Sequence, residues 1–278
     1  MKEDNMENNK AESGKKSGGL FKIIRPVIIV ILIGIIVYEA IGLYNDQHEY
    51  KVAGDEYSEL SDQNVIMPNE PDVSAADEDY PALVVDSDAL LETNEDYIGW
   101  LYFPALNISY PIVQEQSVNE YIDKTFDGVS NKSGCIFMDN VSSPSFDGYS
   151  DFIFGHNMKN GTMFGSLKKL YKNSDERVLD ANPYVYVYTS DKVYKFEVFA
   201  YYITTGGSDV YDQISTDDEY DSFVTKIKSR TNYTIPDDVS FDERPEIFTL
   251  STCSGSAGGT KRFVVHTVQI AQFDITKE

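Results

Sequence analysis

A β-rich domain behind one N-terminal apolar helix is the fold the sequence predicts, and three observations carry it. Twenty Tyr and fifteen Phe stand against one Trp in 278 residues, and with the many Val, Ile and Thr they suit half-buried pleated surfaces. From Tyr97 onward, short strand-like runs alternate with Gly-, Pro- and Asp/Asn-rich breaks. Upstream, Pro26 to Tyr38 is an uncharged apolar run preceded by Lys22 and Arg25. The net charge of -23 excludes a general nucleic-acid binder, because phosphate neutralisation needs a basic face. With only two cysteines, Cys135 and Cys253, disulfides are not what holds the domain together.

The apolar run by itself has the length of a signal-peptide core. Extended through Leu20 and Tyr44 it exceeds the roughly 20 residues that a bilayer requires. Tyr38-Glu-Ala-Ile-Gly-Leu-Tyr44 is a poor cleavage site, which favours an uncleaved anchor. Lys10, Lys15, Lys16, Lys22 and Arg25 lie before it, whereas the acidic stretch after it has Lys51 as its one base. The positive-inside rule then puts the N-terminus in the cytosol and the bulk of the chain outside, as a single-pass protein of the cell membrane. The expected partition is a cytoplasmic tail at 1–19, a transmembrane anchor at 20–44, an acidic extracellular stalk at 45–85 and a folded domain at 86–278. The stalk reads as a solvated spacer, helical near Tyr50 to Leu60.

Within the domain, Leu90 and Leu91 among acidic residues predict a short amphipathic helix between Leu83 and Asp96. Strands follow at Tyr97–Phe103, closed by Pro104, and at 108–113; Val118 to Lys124 reads as a small helix. Gly134 to Asp139 is an apolar strand carrying Cys135 as core, and Ser150 to Phe154 is a strand that releases Gly155 and His156. A short helix is expected at 161–170, then a hairpin of 184–188 and 193–203 about Ser190-Asp191. Thr216-Asp-Asp-Glu219 is a capping box. It opens a helix with Tyr220, Phe223, Val224 and Ile227 on one face. Ile247 to Cys253 is a strand, 254–260 a small-residue loop, and Arg262 to Ile270 a returning strand.

The chemistry concentrates at that last turn. A free cysteine is usually a small buried hydrophobe, but Cys253 is flanked by Ser251, Thr252 and Ser254 and stands at a strand end. Arg262 is a cation able to stabilise a thiolate or an oxyanion, and His156 leaves its own strand in a similar edge position. His266 alternates in phase with Arg262 but lies four strand residues, about 13 Å, further on and in an apolar run, so it reads as structural. His48 falls in the stalk. A disulfide between Cys135 and Cys253 would silence the thiol, and the sequence leaves that state open. No phosphate loop, calcium loop or metal-ligand spacing is present, so neither metal nor cofactor is expected.

Ile98-Gly-Trp100, Tyr110-Pro-Ile-Val113, Phe154-Gly-His-Asn-Met158, Thr162-Met-Phe164, Thr249-Leu-Ser-Thr-Cys253 and Arg262-Phe-Val-Val-His266 together resemble the sortase family, class B. The resemblance implies a closed, mixed eight-stranded β-barrel with peripheral helices, the helix after Thr216 being the insertion expected before the penultimate strand. It implies a cysteine transpeptidase of Gram-positive bacteria, anchoring secreted proteins to the cell wall. Cys253 would be the nucleophile on the Thr carbonyl of a C-terminal sorting signal. His156 would be the acid and then the base, and Arg262 the backbone and oxyanion contact; Ser251 and Thr252 would bind substrate. The implied partners are sorting-signal-bearing secreted proteins and an amine of a peptidoglycan precursor. The loop after Cys253 holds no carboxylate, so a scheme needing one beside the thiol does not transfer. Competing expectations are a thiol endopeptidase that loses its acyl-enzyme to water, a pilin polymerase using a Lys acceptor, and a non-enzymatic surface binding module.

Overall fold

The computed structural model describes residues 18–66, 80, 83–172, 177–180, 182–254 and 259–275. The tail at 1–17, the middle of the stalk at 67–79 and part of the loop after Cys253 at 255–258 therefore lie outside the described residues. The chain divides into two compact units, Met1–His48 and Glu49–Glu278.

In the first unit, helix α1 (Gly18–Asn64) begins. Ile24 to Val37 is uniformly exposed, and this is the described helix long and apolar enough to cross a membrane. From Pro26 to Val37 this exposed face carries no charge, a composition that hydrocarbon would favour over water.

The second unit includes the end of α1. There the structure departs from the expected spacer: Ala53, Tyr57 and Leu60 are buried against the domain. They recur at i, i+4 and i+7, one helical face. A fully buried Leu-sized side chain contributes about 1.5–3 kcal/mol, enough to dock a stretch whose composition is otherwise polar. Strands β1 (Val65–Ile66) and β2 (Val84–Val85) then pair antiparallel. Helix α2 is shorter than expected, Ser87–Thr93, because Asp86 caps it by accepting from the Ala89 N–H at 3.0 Å.

Strands β3 (Tyr97–Phe103), β4 (Ile108–Gln114), β5 (Ile136–Met138) and β6 (Ser150–Phe154) follow. Short helices α3 (Lys168–Lys172) and α4 (Arg177–Asp180) precede β7 (Tyr184–Tyr188), β8 (Lys192–Thr205), helix α5 (Asp217–Arg230), β9 (Ile247–Cys253) and β10 (Lys261–Asp274). The eight strands β3–β10 close into a barrel in the order β10-β8-β7-β3-β4-β5-β6-β9. Two neighbouring pairs, β4 with β5 and β6 with β9, are parallel, and the rest antiparallel. This is the mixed, closed, eight-stranded architecture expected above. Closure leaves no edge strand unpaired, and the aromatic residues fill the interior: Trp100, Phe103, Tyr188, Phe196 and Phe248 are fully buried.

The capping box at Thr216 forms as expected, and the Tyr220–Ile227 face covers Phe199, Ile247 and Val268 on the barrel wall. The helix expected at 118–124 does not form. Asn119 adopts a left-handed φ of 64°, tolerated by Asn better than by most residues, and the segment is a chain of turns. The helix expected at 161–170 is a 3-10 turn at Phe164–Leu167 that runs into α3.

Candidate active site

Strand pairing alone assembles the site. Because β6 and β9 are parallel, with Phe154 opposite Ser251, both strands release their next residues at one rim. β10 runs back antiparallel from that rim, and its register sets Arg262 directly across from Cys253. Side chains of directly opposed residues leave the sheet on the same face, with Cβ atoms about 5 Å apart. His156, Cys253 and Arg262, distant along the chain, thus line a single groove of about 270 Å³ with Asn119, Tyr211 and Gly206. All three are partly exposed, so a substrate reaches each of them.

Around the thiol, the backbone is pinned rather than the sulfur. Asn157 donates its side-chain N–H to the Cys253 carbonyl at 2.7 Å, and the Ser254 N–H bonds Lys261 across the turn at 3.0 Å. Both cysteines are free, so the disulfide left open by sequence is not formed. The histidine is held from the opposite wall. Its Nε2 meets the Ile122 carbonyl at 2.5 Å. A carbonyl only accepts, so this contact requires the proton on Nε2 and leaves Nδ1 uncommitted. The guanidinium of Arg262 rests on its own turn, Nη1 donating to Gly259 at 2.9 Å and to Lys261 at 3.1 Å, and lies over Gly206.

Ser251 and Thr252 line the same groove, but their side chains face protein partners. The Ser251 hydroxyl pairs with the Tyr211 hydroxyl at 2.8 Å, and Thr252 donates to the Gly155 carbonyl at 2.7 Å. Both residues are buried; they tie β9 to its neighbours at the rim. Tyr211 was not legible from the sequence, since only the barrel brings it from the β8–α5 connection to the thiol. Burial is the largest influence pushing its phenol up, Cys253 pushes the same way, and Arg262 opposes them. Asn157 stands beside His156 in the Gly-His-Asn run, which was the available signal for it.

The remaining thiol and imidazole of the domain are walled in. Cys135 is buried, and desolvation pushes it up to about 12. His266 is fully buried between Thr249 (2.9 Å) and the Tyr202 hydroxyl (3.0 Å). Burial above all, then the Arg230 charge, drives it down to about 3. It is a neutral hydrogen-bonding post in the barrel wall, the structural role expected of it. Among the described residues no cluster of three metal-ligating side chains occurs.

Three comparisons bear on this arrangement. A family model described as the sortase domain matches residues 101–270. Sortase B of Listeria monocytogenes is 34% identical over 169 residues, 59% of this chain and 65% of that protein, so the chain spans just under two thirds of that relative. Sortase B of Staphylococcus aureus is 27% identical over 180 residues, 64% of this chain and 72% of that protein. Among solved structures, sortase B from Bacillus anthracis in complex with AAEK1 superimposes with a TM-score of 0.65 at 28% identity, covering 80% of this chain and 98% of that one.

Proposed function

The chain belongs to the sortase family, with class B relatives, and from that premise we propose that it is a membrane-anchored cysteine transpeptidase acting on C-terminal sorting signals. The observation that carries this reading is the convergence of Cys253, His156 and Arg262 on one open groove. Cys253 attacks the scissile carbonyl, and a tetrahedral oxyanion forms. Arg262 turns from the Gly259 and Lys261 carbonyls to that oxyanion or to the substrate backbone. His156, carrying the proton given up by the Cys253 thiol, protonates the departing amine, leaving a thioester on Cys253; it then takes a proton from the incoming amine as the new amide forms and returns it to the departing sulfur. The partners in this reading are secreted proteins bearing a sorting signal and an amine of a peptidoglycan precursor. Ser251 and Thr252 shape the groove floor rather than offering free hydroxyls. The tail at 1–19 lies in the cytosol, 20–44 spans the membrane and the domain faces outward, supported by the flanking charges.

The test is turnover of a library of sorting-signal pentapeptides by the full chain in detergent micelles, followed by mass spectrometry with and without an amine acceptor. Transpeptidation predicts an amine-dependent ligated product. A hydrolysed product alone would favour the endopeptidase alternative, and a product requiring a lysine side chain would favour pilin polymerisation. Turnover that survives Cys253→Ala would sink the thiol mechanism altogether.

A further inference from the structure

Two separate threads of contact lead from the end of α1 to His156, and both start at Tyr57. The first runs through its hydroxyl, which donates to the Gly134 carbonyl at 2.7 Å. Gly134 has a left-handed φ of 61°, and its Cα lies against the turn that presents Ile122: a Cβ there would stand 2.5 Å from the Ile122 oxygen and 2.8 Å from that of Tyr121. The neighbouring Cys135 N–H bonds Tyr121 at 3.0 Å. The Ile122 oxygen is the acceptor that holds the His156 imidazole.

The second thread runs through the Tyr57 ring, which stands edge-on to Tyr110 at 5.4 Å. The Tyr110 hydroxyl accepts from the Met163 N–H at 3.0 Å. Met163 holds a left-handed φ of 52°, which a non-glycine residue keeps only when its surroundings enforce it. It bridges Asn157, and the next residue, Phe164, donates to the His156 carbonyl at 3.0 Å. One thread therefore sets the imidazole's acceptor and the other sets the backbone that carries the imidazole.

The docking of α1 on the first of these loops is broad. Glu49 receives the Asn131 side-chain N–H on its carbonyl at 2.9 Å, and Glu56 receives the Asp127 N–H on its carboxylate at 3.1 Å. We propose that residues 49–60 of α1, through Tyr57, are a positioning element for the acid–base histidine, so that this helix end belongs to the catalytic apparatus rather than to a spacer. The inference rests on the reading of His156 as the acid–base group. Tyr57 never meets substrate; it acts by fixing where the proton is delivered. Such a role appears in kcat and in the pH profile, not in substrate affinity.

The experiment uses the full chain in detergent micelles and the pentapeptide it cleaves fastest, with Tyr57→Phe and Tyr57→Leu. Tyr57→Phe removes the bond to Gly134 and keeps the ring; Tyr57→Leu removes both threads. We expect kcat to fall about tenfold in Tyr57→Phe and further in Tyr57→Leu, part of the 10²–10⁴-fold a positioned acid–base group supplies. KM should hold, and the limb of the pH–rate profile that His156→Ala abolishes should move. Val185→Ala, a core truncation in β7, supplies a variant of lowered melting temperature for comparison. Unchanged kcat and pH limb in both Tyr57 variants would overturn the proposal, as would an equal movement of the limb in Val185→Ala. Undiminished turnover by His156→Ala would remove the functional premise and this inference with it. Loss in His156→Ala beside wild-type profiles in the Tyr57 variants would remove this inference alone.

Discussion

Residues 49–278 hold two thiols and two imidazoles, one of each at the barrel rim and one of each buried. Cys253 and His156 stand partly exposed where strands end; Asn157 grips the Cys253 carbonyl and the Ile122 carbonyl engages one His156 ring nitrogen, leaving sulfur and the other ring nitrogen addressable. Cys135, just before β5, and His266, within β10, are wholly enclosed. Identical functional groups thus meet opposite environments through depth alone. Where they are buried, desolvation disfavours the charged forms that nucleophilic and acid–base chemistry need; at the rim, solvent reaches them.

The sharpest way to break that contrast is at the thiols. Cys253→Ala should bring peptide turnover to background, whereas Cys135→Ala should keep turnover and cost about 1–2 kcal/mol of stability, as small core truncations do. Iodoacetamide labelling read by mass spectrometry should find Cys253 in the native protein and Cys135 only after denaturation. Rapid native labelling of Cys135 would contradict its enclosure.

The imidazoles come next. His156→Ala should lower kcat about 10²–10⁴-fold, the usual worth of a positioned acid–base group. His266→Gln should leave kcat near wild type and lose about 1–3 kcal/mol, because the Thr249 and Tyr202 hydroxyls are left imperfectly paired in the wall. Chemical denaturation alongside steady-state kinetics separates the two outcomes.

His266 also predicts a pH limb. Its ordinary value is 6.5, and burial holds it near 3 in the folded protein. Between those values the unfolded chain binds the extra proton, so stability is lost as pH falls below about 6.5, by up to about 1.4 kcal/mol per pH unit. Urea titrations from pH 7 to 4 should show the loss, and His266→Gln should flatten it.

The smallest expected effect has the opposite sign. Glu246 and Asp151 are buried side by side, and among the described residues both Glu246 oxygens and the Asp151 Oδ2 have no hydrogen-bond donor. Two carboxyls can hydrogen-bond each other only if one keeps its proton. Burial, then the Asp151 charge, raises Glu246 well above the carboxylate range, and burial likewise raises Asp151. The folded state therefore binds protons that the unfolded state has released, and this pair erodes stability as pH rises above about 4.5. Glu246→Gln should be relatively more stable at pH 7 than at pH 4 when each is compared with wild type; an unaltered difference would refute the shared proton.

What the sequence revealed follows from how local each signal is. The strand around Leu250 is read from its β-branched and apolar run, the α5 start from four residues of capping box, and Cys253 from its polar neighbours at a strand end. The turns at 118–124 were misread because one left-handed residue, Asn119, defeats an otherwise helical spacing. Tyr211 and Tyr57 were missed for a different reason. Each owes its place to partners at least 40 positions away, Ser251 and Gly134, and nothing in the flanking acidic residues hints at them. The stretch from Tyr50 to Leu60 was recognised as helical, but its docking face consists of so few residues that charge concealed it.

One consequence of the side-by-side, same-direction course of β6 and β9 extends beyond chemistry. The outlets of those two strands, the end of β8 and the beginning of β10 all open on a common mouth. Lengthening or shortening any of these connections remodels what the mouth admits, while the staves of the barrel keep their hydrogen-bond ladders intact. Such a scaffold lets the shape of the mouth diversify while Cys253 and Arg262 keep their place in the ladder.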